Sequence, residues 1–222
     1  MGVVVAGGTG ALGTAVVHEL VDAGHTVVAT WIVPEERERL ATLPVELVEA
    51  DLFDAGAAEA AVRVVEELEA VVDLVGGFSS GPRVHETEPE DFERLIRLNL
   101  TPAFTLARAA MPRMIERGGG AFVGVSARPA LRPFPGAAGY ITGKAAVLAF
   151  IQVLDAEYRG HGIRCNAILP SVIDTPANRE AQPDADWSKW VPPEEVAKVI
   201  RFLVSEDSKP TSGAAIPVYG QG

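Results

Sequence analysis

The chain has 222 residues, 48% of them hydrophobic, and its 30 acidic against 19 basic side chains leave a formal charge of −11 at neutral pH. That balance excludes a surface built for nucleic acid or an anionic membrane, and leaves a small-molecule substrate as the expected partner. Length and apolar content suit one buried core, so a single domain over residues 1–222 is expected. The lone Cys165 rules out a disulfide framework and reads as a core thiol. The N-terminus enters Val3-Val4-Val5 without a basic leader, and no apolar stretch is long enough to span a bilayer, so a cytoplasmic location is expected.

Residues 2–6 are a β-branched run, followed by Gly7-Gly8-Thr9-Gly10-Ala11-Leu12-Gly13 and a helical pattern over 14–23. Such a strand, glycine turn and helix let backbone N–H groups approach a pyrophosphate and point the positive end of a helix at it. The turn residues Gly7, Thr9, Gly10, Ala11, Leu12 and Gly13 are therefore candidate dinucleotide contacts. A second strand, 25–31, ends at Trp31, and a polar segment carrying Arg37 and Arg39 follows; those two read either as solvated charges or as arms able to reach a phosphate. Residues 45–50 form a third strand before Asp51-Leu52, and 57–68 an amphipathic helix with Arg63, Glu66 and Glu67 outside. The fourth strand, 70–74, contains Asp73, a carboxylate that needs partners if it is buried. It leads into Val75-Gly76-Gly77-Phe78, and a polar, irregular stretch occupies 79–89.

A long helical pattern over 90–110 includes Asn99, which costs helix propensity, and Pro112 is expected to end or kink it. Gly118-Gly119-Gly120 breaks the chain before an apolar strand, 121–125, that ends in Ser126. After a Pro- and Gly-rich connection comes a buried helix carrying Tyr140 and Lys144 on one face. An ammonium four residues from a phenol favours the phenolate, so Lys144 is expected to lower the Tyr140 pKa from its reference of about 10. A strand over 163–169, a polar Trp-bearing loop over 178–191, a helix over 194–204 opened by Pro192, and a strand over 213–218 complete the chain. Alternating strands and helices imply an α/β fold: a Rossmann-type, doubly wound parallel sheet with helices on both faces. Neither a repeat nor a metal-binding cluster is visible.

The order of these features, a glycine turn, a mid-chain Asn, a Ser and then Tyr-x-x-x-Lys, resembles the short-chain dehydrogenase/reductase family from end to end. Gly7-x-x-x-Ala11-x-Gly13 is similar to its Gly-x-x-x-Gly-x-Gly, with Ala11 for the middle glycine. The resemblance implies an NAD(P)-dependent oxidoreductase that moves hydride between nicotinamide and a carbonyl or alcohol. In it Tyr140 transfers the proton, Ser126 hydrogen-bonds the substrate oxygen, Lys144 binds the ribose and tunes Tyr140, and Asn99 holds a water in the relay. It also implies cofactor contacts at Trp31, at Asp51 and Leu52 beside adenine, and at Gly76, where the family's Asn-Asn-Ala-Gly reads Asp73-Leu74-Val75-Gly76. Pro170-Ser171-Val172-Ile173-Asp174-Thr175 resembles Pro-Gly-x-x-x-Thr, so Pro170, Val172 and Thr175 are expected at the nicotinamide carboxamide. The family marks NAD with an acid and NADP with an arginine at the end of the second strand. Trp31 and Ile32 are neither, and the lack of a repelling acid leans slightly toward NADP. The family's habit implies a homodimer or homotetramer formed through the helices beginning near Glu90 and Tyr140. Gly76-Gly77-Phe78 and residues 174–190 resemble loops of dihydropteridine reductases, which makes a quinonoid dihydropteridine reductase-like enzyme an alternative, with Ser126 against it. A non-catalytic dinucleotide-binding sensor is the alternative from another class; such proteins lose the Tyr or Lys retained here.

Overall fold

The computed structural model describes residues 2–221. Its seven strands are β1 (Gly2–Ala6), β2 (Thr26–Trp31), β3 (Glu46–Glu49), β4 (Leu68–Asp73), β5 (Gly120–Val125), β6 (Ile163–Pro170) and β7 (Ala215–Val218). They form one parallel sheet in the order β3-β2-β1-β4-β5-β6-β7. Parallel strands need crossovers, and the helices supplying them are α1 (Ala11–Asp22), α2 (Ala55–Arg63), α3 (Pro89–Arg117), α4 (Ala138–Tyr158) and α6 (Pro193–Val204), with the short α5 (Pro176–Ala181) after β6.

The strand sequences are continuous apolar runs because both sheet faces are covered. On one face Val4, Val71 and Phe122 meet Ala58 of α2, Leu106 and Met114 of α3, and Ile151 of α4. On the other, Val3, Val5, Val72 and Val123 meet Val17 and Leu20 of α1 with Ile200 and Leu203 of α6. Strand order reverses between β1 and β4, so a crevice opens beyond their carboxyl ends, which is where a doubly wound sheet binds ligands. Ala6 pairs with Asp73 and Asp73 with Gly124, so the chain leaves β1, β4 and β5 toward that crevice at one level.

Three expectations are corrected. The helix expected over 57–68 runs over Ala55–Arg63, capped by the Asp54 carboxylate, which accepts from Ala57 N at 2.7 Å; Leu68 already belongs to β4, paired with Gly2. Pro112 does not end α3, which continues through Pro102 and Pro112 to a left-handed cap at Gly118, φ 84°. Burial of Ala107, Ala110, Met111 and Met114 against the sheet outweighs the roughly 3 kcal/mol an interior proline costs. The loop expected over 178–191 is partly helical, because Thr175 Oγ1 accepts from Asn178 N and starts α5, and an Ile173–Val191 bridge closes the base of the excursion.

Candidate active site

The glycine turn is shaped by its packing. Gly7, at φ 69°, donates its N–H to Thr30 Oγ1 at 3.1 Å, and Gly8 N donates to Thr30 O at 3.0 Å. A β-carbon at Gly13 would lie 2.1 Å from Gly7 O, so the turn lies directly on the first turn of α1. Gly10 is the N-cap and offers no side-chain acceptor, and the first turn carries no acid. The leading N–H groups of α1 therefore face the crevice without a side-chain cap, a ready anion site. Ala11 is exposed, so its methyl replaces the family's glycine without crowding the turn; Leu12 follows it, packed against the α1–α6 side of the core.

Thr9 is buried in a clasp that the sequence did not reveal. Its hydroxyl donates to Glu36 Oε2 at 3.4 Å, its carbonyl accepts from Arg39 Nη1 at 2.8 Å, and Arg39 and Glu36 pair at 3.0 Å. The Arg37 guanidinium lies 4.7 Å from the centre of the Trp31 ring. Neither arginine is simply solvated: the segment Pro34–Leu40 folds back over the glycine turn. Trp31 Nε1 is buried without a hydrogen-bond partner. Beyond β3, Asp51 is exposed and its carboxylate accepts from Phe53 N at 3.0 Å, while Leu52 is buried and its carbonyl accepts from Thr105 Oγ1 at 2.7 Å.

The second cluster forms where β4, β5, α3 and α4 meet. Asn99 Nδ2 donates to Leu95 O at 2.9 Å and to Gly77 O at 3.1 Å, while its Oδ1 accepts from Gly77 N at 3.3 Å. It fastens the chain leaving β4 to α3. Ser126, 1% exposed at the end of β5, donates its hydroxyl to Lys144 O at 2.7 Å, and Lys144 Nζ donates to Val125 O at 2.9 Å. A β-carbon at Gly76 would lie 2.6 Å from Asn99 Oδ1 and 2.9 Å from Lys144 Nζ, which shows how tightly these three residues converge. Gly143 matters for the same reason: a β-carbon there would meet Leu95 O at 3.1 Å and Asn99 Cβ at 3.2 Å, so α4 lies hard against α3. Tyr140, one turn before Lys144, meets Phe78 edge-on with 4.9 Å between ring centres.

The electrostatics correct one expectation. Burial pushes the Tyr140 phenol up to about 12, rather than Lys144 pulling it down. The reason is that Lys144 spends a hydrogen bond on Val125 O and shares its field with Asp73, leaving desolvation of the phenol in command. Burial lowers the Lys144 pKa, and Asp73 opposes that fall. Burial raises the Asp73 pKa, while a 3.1 Å hydrogen bond from Val75 N and the Lys144 ammonium oppose that rise. These are the partners that the sequence could not supply for Asp73.

At the end of β6 Pro170 is buried. Ser171, where the family has glycine, turns its hydroxyl to Tyr219 O at 2.8 Å, the half-exposed Val172 accepts from Val191 N at 3.0 Å through its carbonyl, and the Thr175 hydroxyl caps α5. Trp187 and Trp190 pack against each other, 6.3 Å between ring centres, with Arg179 over Trp187 at 4.6 Å. Thus Gly76, Asn99, Ser126, Tyr140 and Lys144 gather in one place. Trp31, Asp51 and Thr175 make their contacts at the ends of β2, β3 and β6.

An open helix N-terminus behind a glycine turn at the switch point, beside a Ser, Tyr, Lys and Asn group, defines the class as a dinucleotide-dependent oxidoreductase. The residues fit that cofactor: the α1 N–H groups lack a side-chain cap, the turn has no room for a side chain at Gly13, and the buried Trp31 Nε1 lacks an acceptor. The profile of the short chain dehydrogenase family matches residues 2–186, and the chain belongs to the short-chain dehydrogenase/reductase family of NAD(P)-dependent oxidoreductases. It is 32% identical over 189 residues to 2-(R)-hydroxypropyl-CoM dehydrogenase of Xanthobacter autotrophicus, covering 78% of this chain and 76% of that one. It is 30% identical over 231 residues to the 3-oxoacyl-[acyl-carrier-protein] reductase MabA of Mycobacterium tuberculosis, covering 98% and 91%. A short-chain type dehydrogenase/reductase from Mycobacterium ulcerans superposes with a TM-score of 0.92 at 25% identity, over 99% of this chain and 88% of that one. ElxO with NADP bound shares the fold, with a TM-score of 0.91 at 23% identity, over 99% and 97%.

Proposed function

We propose that the protein is a carbonyl reductase or alcohol dehydrogenase in which Tyr140 exchanges the proton with the substrate oxygen. The observation that carries this reading is the convergence of Lys144 and Asn99 on Gly76, with Ser126 hydrogen-bonded to the Lys144 carbonyl and Tyr140 one helical turn away. The nicotinamide cofactor supplies or takes up the hydride. In reduction the Tyr140 O–H gives its proton to the carbonyl oxygen; with a pKa near 12 before cofactor binds, it is fully protonated at neutral pH and ready to act as the acid. Ser126 Oγ, turned from the Lys144 carbonyl, donates to the same oxygen. Lys144 binds the nicotinamide ribose, and Asn99 fixes the Gly77 backbone and holds the water that relays protons to Lys144.

Gly7, Thr9, Gly10, Ala11, Leu12 and Gly13 hold the pyrophosphate; Trp31, Asp51 and Leu52 the adenosine; Gly76, Pro170, Val172 and Thr175 the nicotinamide side. The Arg37 guanidinium over Trp31 and the Arg39 guanidinium on Thr9 O support NADP(H) being accepted at least as well as NAD(H). The exposed Phe78, Leu131 and Phe134, on the loops that follow β4 and β5 and precede Tyr140 in the chain, support a small planar or cyclic carbonyl substrate with an apolar body. Exposed Phe104, Ile115 and Val153 on α3 and α4 support a homodimer or homotetramer through those helices, and a single, free, buried Cys165 supports a cytoplasmic location. Among the described residues no helix is long and apolar enough to cross a membrane.

The test is to follow NAD(P)H oxidation with ketones, aldehydes and quinones beside quinonoid dihydropterin. Turnover of carbonyl compounds that collapses in Ser126→Ala is expected. Turnover of the pterin alone would replace this reading with the dihydropteridine reductase one, and binding of dinucleotide with no turnover of any would favour a sensor.

A further inference from the structure

Two acids are buried among the described residues, Asp73 and Asp155. Asp155 is accounted for by Arg159 and Ser212, which both donate to its carboxylate. Asp73 is different: it is 3% exposed, the hydrogen bond that reaches it is from the Val75 backbone, and it stands where the family it belongs to carries a neutral asparagine. A carboxylate is expensive to bury, so an acid where an amide would suffice asks for a reason.

Its placement supplies one. Asp73 ends β4 between Ala6 and Gly124, two residues small enough to leave room beside it. By strand alternation its side chain shares a face with Val71, which packs in the same cluster as Val147 and Ile151 of α4. That is the face from which Lys144, 7% exposed, approaches the ends of β4 and β5, with Nζ on Val125 O and against Gly76. The charged group that acts on Asp73 is Lys144 from α4, and its register partners on β1 and β5, Ala6 and Gly124, are uncharged. Among the described residues the charge acting on Asp73 is that of Lys144, and the charge acting on Lys144 is that of Asp73.

We propose that Asp73 is a positioning residue for proton transfer: its carboxylate is the buried counter-charge that holds Lys144 as an ammonium behind Tyr140. An asparagine there leaves a desolvated lysine with hydrogen-bond acceptors alone, and such a lysine sheds its proton at lower pH. The consequence for catalysis rests on the function proposed above. Since the ammonium form of Lys144 is the active one, the alkaline limb of the reduction rate lies higher in this protein than it would with the family's asparagine.

The experiment compares wild type with Asp73→Asn, which is nearly isosteric. The first readout is the Lys144 side-chain titration by NMR in cofactor-free protein labelled at lysine, the signal assigned by its loss in Lys144→Met. Its midpoint is expected to fall by at least one pH unit in Asp73→Asn, a tenfold drop in the ammonium-to-amine ratio at fixed pH, and to stay near wild type in Asp73→Glu. The second readout is kcat against pH, whose alkaline limb moves down with the midpoint while the substrate KM holds. Should Asp73→Asn fail to fold, the reciprocal titration serves: the Asp73 carboxyl carbon in Lys144→Met is expected to titrate at least one unit higher than in wild type. An unmoved Lys144 midpoint, or an unmoved Asp73 in the reciprocal case, overturns the proposal, as does an activity loss equal at every pH. The titrations need no turnover, so a shifted midpoint in an inactive protein would sink the reductase reading and leave the electrostatic coupling of Asp73 and Lys144 standing.

Discussion

Gly76→Ala is a sharp perturbation of the site because it adds one methyl and leaves the backbone unstrained, φ being in the ordinary range. The new carbon would start 2.6 Å from Asn99 Oδ1 and 2.9 Å from Lys144 Nζ. To reach an ordinary contact of about 3.5 Å the two side chains must give way by about 0.6 to 0.9 Å. Asn99 then loses its two bonds to Gly77, each worth about 0.5 to 1.5 kcal/mol, against a gain of about 0.4 to 1 kcal/mol from a less flexible unfolded chain. A net loss of about 1 to 2 kcal/mol lowers Tm by roughly 2 to 8 °C in a chain of this size. Misplacing a catalytic group by about 1 Å costs on the order of 10²-fold, so kcat should fall between about 10- and 100-fold. Steady-state kinetics and thermal unfolding on the same preparation read both. A Gly76→Ala enzyme with wild-type kcat and wild-type cofactor affinity would refute the convergence of Asn99 and Lys144 on this glycine.

Gly13→Ala sets a β-carbon against backbone, 2.1 Å from Gly7 O, so the turn must open and the dinucleotide Kd, read by calorimetry, should rise at least about tenfold. Trp31→Asp places a carboxylate at the end of β2, where the proposed site takes the adenosine ribose, and should shift preference toward NAD(H) by about tenfold; an unchanged ratio would show that β2 does not read the ribose. Acid stability should depend on Asp155. Burial works upward on that carboxyl, but hydrogen bonds from Arg159 and Ser212 prevail and hold it below its usual range. A depressed carboxyl contributes stability that is present above the unfolded pKa of about 4 and is lost as pH falls through the folded value. Arg159→Ala should therefore weaken the fall in urea midpoint between about pH 5 and pH 3, and an unaltered acid limb would count against the linkage.

Much of the fold was legible because its signals are local and repeated. Continuous apolar strands such as Gly2–Ala6, separated by helical patterns, prescribe a parallel sheet covered on both faces, and that is the sheet observed. Boundaries were less legible where packing overrides local rules: α3 runs through Pro112 because its buried face outweighs one missing N–H, and Leu68 joins β4 because Gly2 offers it a ladder partner. Within the site, Ser126, Tyr140, Lys144 and Asn99 were legible as residue types in order. The Glu36 and Arg39 clasp on Thr9 was not, since a polar run of Glu and Arg has no periodicity that says which charge folds back. The titration of Tyr140 was misread for a physical reason: spacing along a helix reports proximity to Lys144, but not how much water the phenol loses. Asp73 was visible as a departure from the family, yet its partner lies on another element and emerges from the register of β4 under α4.

The central claim is that Tyr140 exchanges the proton with the substrate oxygen. It is tested most directly by Tyr140→Phe, measuring single-turnover hydride transfer together with cofactor Kd on the same protein. Loss of one positioned acid lowers the rate by at least about 10²-fold, and the account predicts that loss with a cofactor Kd close to wild type. Near-full hydride transfer in Tyr140→Phe would contradict it and remove Tyr140 from the mechanism.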